Sequence, residues 1–509
     1  MVVTDSPRVK GRWLALGILV LGVLLVTVDA TVLGLAAPFL AEDLEASGTQ
    51  LVWIGDIYPL VMAGLLVSMG SLSDRIGRKK LLLVGASLFG LVSLLNAYAT
   101  SAEMMIAARA LLGVAGATLM PLTLGLLRNI FHDPRERSLA LGVWGAAASA
   151  GNAAGPLVGG LLLEHFWWGS VFLINLPVTA VLVIVGSKVL PESRDPNPGP
   201  WDLLSVAVSL IGIICVVYAV KEQLVYGYGP HVAVAAVVGV VCLGWFARRQ
   251  YTLASPLLDL RLFRERGVLG SVLANGLATM GLAGLLFFLP QFLQLVQMRS
   301  PLNAGFMALP AAIGTIVTGL LAGRIARRIP VRAAVGGGLA MVGLALAACT
   351  FLHAGTPTAW LCLALFCAGA GGGLAFTVTA DVILTAAPKE QASAAAAVSE
   401  TAFTLGEALG IALFGSVVTA IYLDFTMPAG IPADAAAAAR DSLGGAVEAA
   451  IRLPHGQAQA LLTAAQDAFT HGFETAAALA AAVLFATAAT IWFMLRGQRL
   501  EDATECHRD

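Results

Sequence analysis

Charge is what this 509-residue chain has least of. Asp, Glu, Lys and Arg make up 12% of it, against about 25% in soluble domains, while 58% is hydrophobic and the mean hydropathy is +0.85. That excludes an ordinary soluble domain. Cysteine is scarce as well. Five of six (Cys215, Cys242, Cys349, Cys362, Cys367) fall in apolar stretches and Cys506 in the terminal tail, so neither an external disulfide nor a metal-ligand spacing is offered. The seven His are scattered without a nucleophile–base pairing, and the glycine run "GAGGGLAF" (369–376) has no strand before it. It reads as small-residue helix packing, not a phosphate loop. No catalytic constellation and no metal site is expected.

What is present is apolar length. A membrane span needs about 20 mainly apolar residues. Fourteen candidate spans begin near Trp13, Leu51, Leu81, Glu103, Leu139, Trp168, Trp201, Val232, Val268, Asn303, Arg332, Thr358, Ala392 and Thr470. The first stretch is too long for a cleavable leader and is read as an ordinary first span. With the N-terminus in the cytoplasm and alternating spans, 25 of the 30 Lys and Arg fall on the cytoplasmic side, clustered as in Arg75–Lys80, Arg261–Arg266 and Arg324–Arg332. Lys221, Arg299, Arg440 and Arg452 fall outside, and Arg109 within a span. This asymmetry predicts both termini in the cytoplasm. The net charge of −1 says nothing about partners, because the charges are segregated by side.

Carboxylates inside spans carry the functional signal. An Asp near a bilayer centre costs roughly 2.5–3.5 kcal/mol on insertion scales, so its presence needs a reason. Asp29 in span 1 and Glu407 in span 13 lie nearest the middle; Glu400 shares a face with Glu407, seven residues away. Asp56 begins span 2, Asp381 ends span 12 and Asp424 ends span 13. Arg109 in span 4 needs a carboxylate or a wet cavity, and Asp29 is its first expected partner. A carboxylate that binds a proton or a cation, not both, meets the minimum requirement for exchanging the two. Trp144, Phe287, Phe288, Phe292, Phe376 and Phe403 are candidate faces for a lipophilic cation, and Gln291, Gln294 and Asn152 candidate polar cavity groups.

The chain also repeats itself. "GSLSDRIGRKK" (70–80) matches "GLLAGRIARRI" (319–329), with Gly70 against Gly319 and "RIGR" against "RIAR". Parallel repeats about an axis along the membrane normal are a transporter architecture with the substrate between the halves. The expected fold is all-α: fourteen spans, two six-helix bundles (spans 1–6 and 9–14) and two inserted spans (7–8). The expected domains are 1–195, 196–260 and 261–509, the last including an extracellular helical hairpin at 425–469. Two short helices are expected there, about 433–452 and 455–469, hinged near Pro454 and capping the outer cavity.

"GSLSDRIGRKK" resembles the loop between helices 2 and 3 of the major facilitator superfamily. "RALLGVAGA" (109–117) resembles its helix 4 motif, "GNAAGPLVGG" (151–160) the helix 5 motif of its drug/proton antiporters, and "VDATVLGLAAP" (28–38) the helix 1 signature of the antiporters with fourteen helices. "WIGDIYPLVMAGLL" (53–66) and "SETAFTLGEALG" (399–410) are similar to exporters of quaternary ammonium compounds and dyes in Gram-positive bacteria. The resemblance covers about the whole chain. It implies proton-driven export of lipophilic cations with no cofactor, by a monomer of the bacterial inner membrane that binds no nucleic acid. Gly70, Asp74, Arg75, Gly77 and Arg78 are then the candidate conformational latch. Gly151, Gly155, Pro156, Gly159 and Gly160 are the antiporter motif, and Asp29, Glu407, Glu400, Asp56, Asp381 and Arg109 the proton-coupling and cation-binding candidates. A single-antibiotic exporter and a nutrient importer of the same fold are the alternatives.

Overall fold

The computed structural model describes residues 11–131, 133–194, 202–253, 260, 263, 265–353, 355–386 and 392–496. Helices α1 (Arg12–Asp43), α2 (Gly48–Ile76), α3 (Arg78–Ala97), α4 (Ala102–Ile130), α5 (Pro134–His165), α6 (Ser170–Leu173) and α7 (Asn175–Val189) form the first half. The inserted pair is α8 (Leu203–Tyr226) and α9 (Pro230–Thr252). The second half holds α10 (Arg266–Gln291), α11 (Pro301–Arg328), α12 (Val331–Cys349), α13 (Thr358–Ala386), α14 (Ala392–Leu423), α15 (Ala433–Asp441), α16 (Leu443–Ile451) and α17 (His455–Met494). Fourteen stretches among the described residues are long and apolar enough to cross a membrane, α6 and α7 together making one. With fourteen spans among the described residues, the start of α1 and the end of α17 lie on one face, here called the terminal face; α15 and α16 lie on the opposite, hairpin face. The expected borders at 195/196 and 260/261 fall at the edge of the described residues or beyond them.

Local signals set the helix ends. Ser47 accepts from Gln50 N while Gln50 Oε1 accepts from Ser47 N, a reciprocal box that starts α2. Ser101, Asp202 and Ser300 cap α4, α8 and α11, each side chain accepting one backbone N–H. Between α2 and α3 the chain reverses at Gly77 with φ 111°, a conformation that only glycine adopts without strain.

Two expectations for the hairpin are corrected. The second short helix is the first turns of α17, which runs unbroken from His455 to Met494. Pro454 precedes it as a start signal, and nothing in the Ala-rich stretch that follows breaks the helix. The first is split at Ser442, whose hydroxyl caps α16. This hairpin does lie over the outer end of α1: Gly444 abuts Ala41 and the Pro38 carbonyl. A cavity of about 200 Å³ beneath it is lined by Pro38, Gln294, Arg299 and Glu448, among others.

Candidate transport site

Glycines decide how α1 sits. Gly151 and Gly155 of α5 face the Thr27 and Thr31 side chains, and Gly159 faces Val32, so closely that a Cβ at any of them would collide. The two threonine hydroxyls bond back to their own helix, to Val23 O (3.0 Å) and Thr27 O (2.9 Å), so nothing polar is stranded at that contact. Residues 27 and 31 share a face, and position 29 lies roughly opposite on the helical wheel. Asp29 is thereby turned toward α4.

There it meets Arg109. Arg109 Nη1 donates to Asp29 Oδ2 at 2.7 Å, with the side chains 1% and 0% exposed. Asn175 Nδ2 donates to Asp29 Oδ1 (3.0 Å) and to Ser93 Oγ (3.1 Å). Arg109 Nε reaches Ile54 O (3.3 Å), and the guanidinium lies 4.6 Å from the Tyr58 ring centroid. Both oxygens of Asp29 are therefore engaged, and the group ties together α1, α2, α3, α4 and α7. Tyr58 is fully buried within electrostatic reach of Asp29, Arg109 and Glu407, and its hydroxyl has no hydrogen-bond partner among the described residues.

Asp56 is paired through one oxygen, while its Oδ1 is buried with no hydrogen-bond partner among the described residues. Lys221 Nζ donates to its Oδ2 at 2.9 Å and lies 3.5 Å from the Trp53 ring centroid. Lys221 is thus a buried residue of α8, not part of an exposed outer connection, and Asp56 is not solvated.

Glu400 and Glu407 differ from both. They are half-buried on α14, two turns and about 10 Å apart along the axis. Among the described residues neither carboxylate has a hydrogen bond or ion pair. Gly406 and Gly410 of the same helix pack on Gly276 and Met280 of α10 and leave no space for a Cβ. This fixes α14 against its own half. The Phe403 ring lies 5.3 Å from that of Phe376. A second aromatic chain runs Phe287, Phe288, Phe414, Phe473 and Phe292, with centroids 5.1–5.9 Å apart. Trp144 donates to the Thr123 hydroxyl (3.1 Å), Gln291 is buried, and Asn152 is exposed. Asp381 is exposed on α13, at the far end from Asp424, which follows α14.

The two halves meet at the hairpin face. Gly160 packs on Pro301 and Leu302, Gly305 on the Pro156 carbonyl, Gly48 on Thr419, and Gly55 on Phe287 and Ile411. A π-helical turn at Phe292–Val296 follows α10, and within it Gln294 Nε2 donates to Leu35 O across the two halves (3.1 Å). Toward the terminal face the packing loosens. A Cβ at Gly70, Gly142 or Gly145 would meet nothing within 4 Å. Gly70, a member of the candidate latch, makes no close helix contact here. On α14, Glu407 and then Glu400 lie beyond Thr419 and Ile411 toward the terminal face, past these contacts between the halves.

At the loop between α2 and α3, Arg78 pairs with Asp74 (2.9 Å) and reaches Gly125 O (3.4 Å). Arg75 also has an interaction partner. Glu192 accepts from Lys79 N (3.1 Å) and Lys80 N (3.3 Å), an anion at the start of α3 where the macrodipole favours one. Sequence reasoning missed Glu192, Asn175, Tyr58 and Lys221 as site residues. Asn175 and Lys221 are polar residues in apolar runs, which is a usable signal; Glu192 sits in a connection and gives none.

A two-halved helical bundle with ionisable groups at the seam defines a membrane transporter, not an enzyme. Residues 19–411 match the family model of the Major Facilitator Superfamily, and the chain belongs to that family. It is 43% identical to the multidrug efflux pump LfrA of Mycolicibacterium smegmatis, covering 95% of this chain and 96% of that one. It is 39% identical to the methyl viologen resistance protein SmvA of Salmonella typhimurium (95% and 98% covered) and 34% to the puromycin resistance protein of Streptomyces alboniger (98% and 94%). Among solved structures, a bacterial homologue of the human lysosomal transporter Spinster, inward-facing and unoccupied, superposes with a TM-score of 0.68 at 17% identity over 97% of this chain and 99% of that one.

Proposed function

We propose that this protein exports lipophilic cations in exchange for protons, with Glu407 and Glu400 as the exchanging groups. One observation carries the assignment. Asp29 and Asp56 are each ion-paired with a cation of the protein's own, whereas among the described residues the half-buried Glu407 and Glu400 make no ion pair. A bare carboxylate in a low-dielectric cavity binds either a proton or a drug cation. Relatives named for multidrug efflux and for methyl viologen resistance support the direction and the charge of the cargo. Methyl viologen is a dication, and two unpaired carboxylates suit it.

In this reading the terminal face is cytoplasmic, where most of the Lys and Arg lie, and the membrane is the bacterial inner membrane. The three segments 1–195, 196–260 and 261–509 act within a single monomer, with the proton gradient in place of a cofactor. Drug enters between the halves from the terminal face, displaces protons from Glu407 and Glu400, and is released after the hairpin face parts. Asp29 and Arg109 act next to that contact: Arg109 holds Ile54 O, and Gly55 beside it packs on Phe287 of the other half. Moving one charge across 100 mV is worth about 2.3 kcal/mol, enough to bias each cycle. Dedicated export of one antibiotic is the second reading, favoured by the puromycin resistance relative.

The test is purified protein in proteoliposomes with an imposed pH gradient. Ethidium should move against its own gradient while the pH gradient collapses faster than without dye. Ethidium transport that leaves the proton flux unchanged would overturn the exchange.

A further inference from the structure

The inserted pair α8–α9 touches both halves, packing on α2 and on α14. Its attachments to the two are chemically unlike. To α2 it is bound by the Lys221–Asp56 ion pair at 2.9 Å, by the Lys221 ammonium over the Trp53 ring at 3.5 Å, and by a hydrogen bond between Tyr226 and Thr49 (3.2 Å). Gly64 of α2 also lies against Leu210, so closely that a Cβ there would meet the leucine. To α14 no hydrogen bond or ion pair is made among the described residues. Asp202, the cap of α8, and Ser205 within it bond in turn to Arg249 and Gln250, which makes α9 follow α8.

An apolar contact between helices slides at little cost, whereas a buried ion pair cannot be parted without stranding a charge in a low-dielectric interior. When the hairpin face opens, α2 and α14 must separate, and α8 can stay with only one of them. We infer that Lys221 is a positioning residue that fastens the inserted pair to the first half. The pair then travels with α2 and slides over α14, and Asp56 serves as the anchor of this clip instead of taking part in proton or drug exchange. The inference rests on the reading that the two halves exchange access.

Two measurements test it. Spin labels are placed in the full-length protein in nanodiscs at Glu42, Tyr228 and Asp424, three exposed positions on the hairpin face. Across conditions that change the Glu42–Asp424 distance, the Glu42–Tyr228 distance should stay fixed while Tyr228–Asp424 shifts. A fixed Tyr228–Asp424 distance, or movement in both, would overturn the inference. This readout does not depend on what is exported or on proton coupling, so its failure is distinct from failure of the exchange reading. In the second, Asp56→Asn and Lys221→Met should each lose about tenfold or more in efflux, and the neutral double variant should regain most of it, as expected of two residues that act as one pair. A double variant as inactive as Asp56→Asn at equal membrane expression would mean that Asp56 takes part in exchange.

Discussion

Arg109 and Asp29 meet at 2.7 Å in the interior of the first half, with neither side chain reached by solvent. Removing one partner of such a pair strands the other, at a typical cost of about 3–5 kcal/mol. Asp29→Asn should therefore abolish efflux of every cationic substrate, and thermal stability should fall even if membrane insertion is retained. Ethidium efflux from energised cells and a melting curve of the purified variant check this. Normal efflux would mean that the pair has no part in the cycle.

Glu400 lies two turns from Glu407 toward the terminal face. A monovalent cation needs one carboxylate, while a divalent cation with one charge unpaired in the cavity loses more. Glu400→Gln should impair a bis-cation such as methyl viologen more than ethidium, and Glu407→Gln should impair both. Resistance to the two compounds at matched expression separates these outcomes. Equal losses in the Glu400 variant would remove the division of labour.

Gly70 has open space around it in this state, whereas Gly155 presses on Thr31 and the Val28 carbonyl. Gly155→Leu should disrupt α1–α5 packing and cost both stability and ethidium binding. Gly70→Leu should bind ethidium normally in detergent and fail in turnover, because its close contact belongs to the state sealed at the terminal face. Binding that falls in step with transport in the Gly70 variant would contradict this.

Arg249, by hydrogen bonding, holds the Asp202 carboxyl down at about 2 from its ordinary 3.8, with Ser205 adding to the effect against partial burial. A depressed carboxylate stabilises fully above its ordinary value, and the effect disappears as pH falls toward the folded one. The clip between α8 and α9 should thus be constant through the working range. The melting temperature of Asp202→Asn should lie below that of the unaltered protein by the same interval at about pH 5 and pH 8. An interval that changes between them would point to another titrating group.

Spans were legible because bilayer thickness imposes a length, and each apolar run shows it in the sequence. The Asp29–Arg109 pair was legible because two opposite charges in the same half at similar depth have few other partners. Lys221–Asp56 was not. Each lies toward a span end, where a charge normally reaches water, and only the docking of α8 on α2 buries them both. The long α17 was hidden by Pro454, which reads equally as a hinge or as a helix start. The accessibility difference among the four embedded acids had no trace in the sequence, since it depends on which neighbouring cations the fold brings to each.

If Glu407 gives up a proton when a drug cation arrives, binding alone must release protons. Purified protein in weakly buffered solution with a pH indicator should release protons when ethidium is added. In Glu407→Gln that release should fall or vanish, while in the Asp56→Asn/Lys221→Met variant it should persist. Undiminished release from Glu407→Gln would mean that proton and drug do not compete at Glu407.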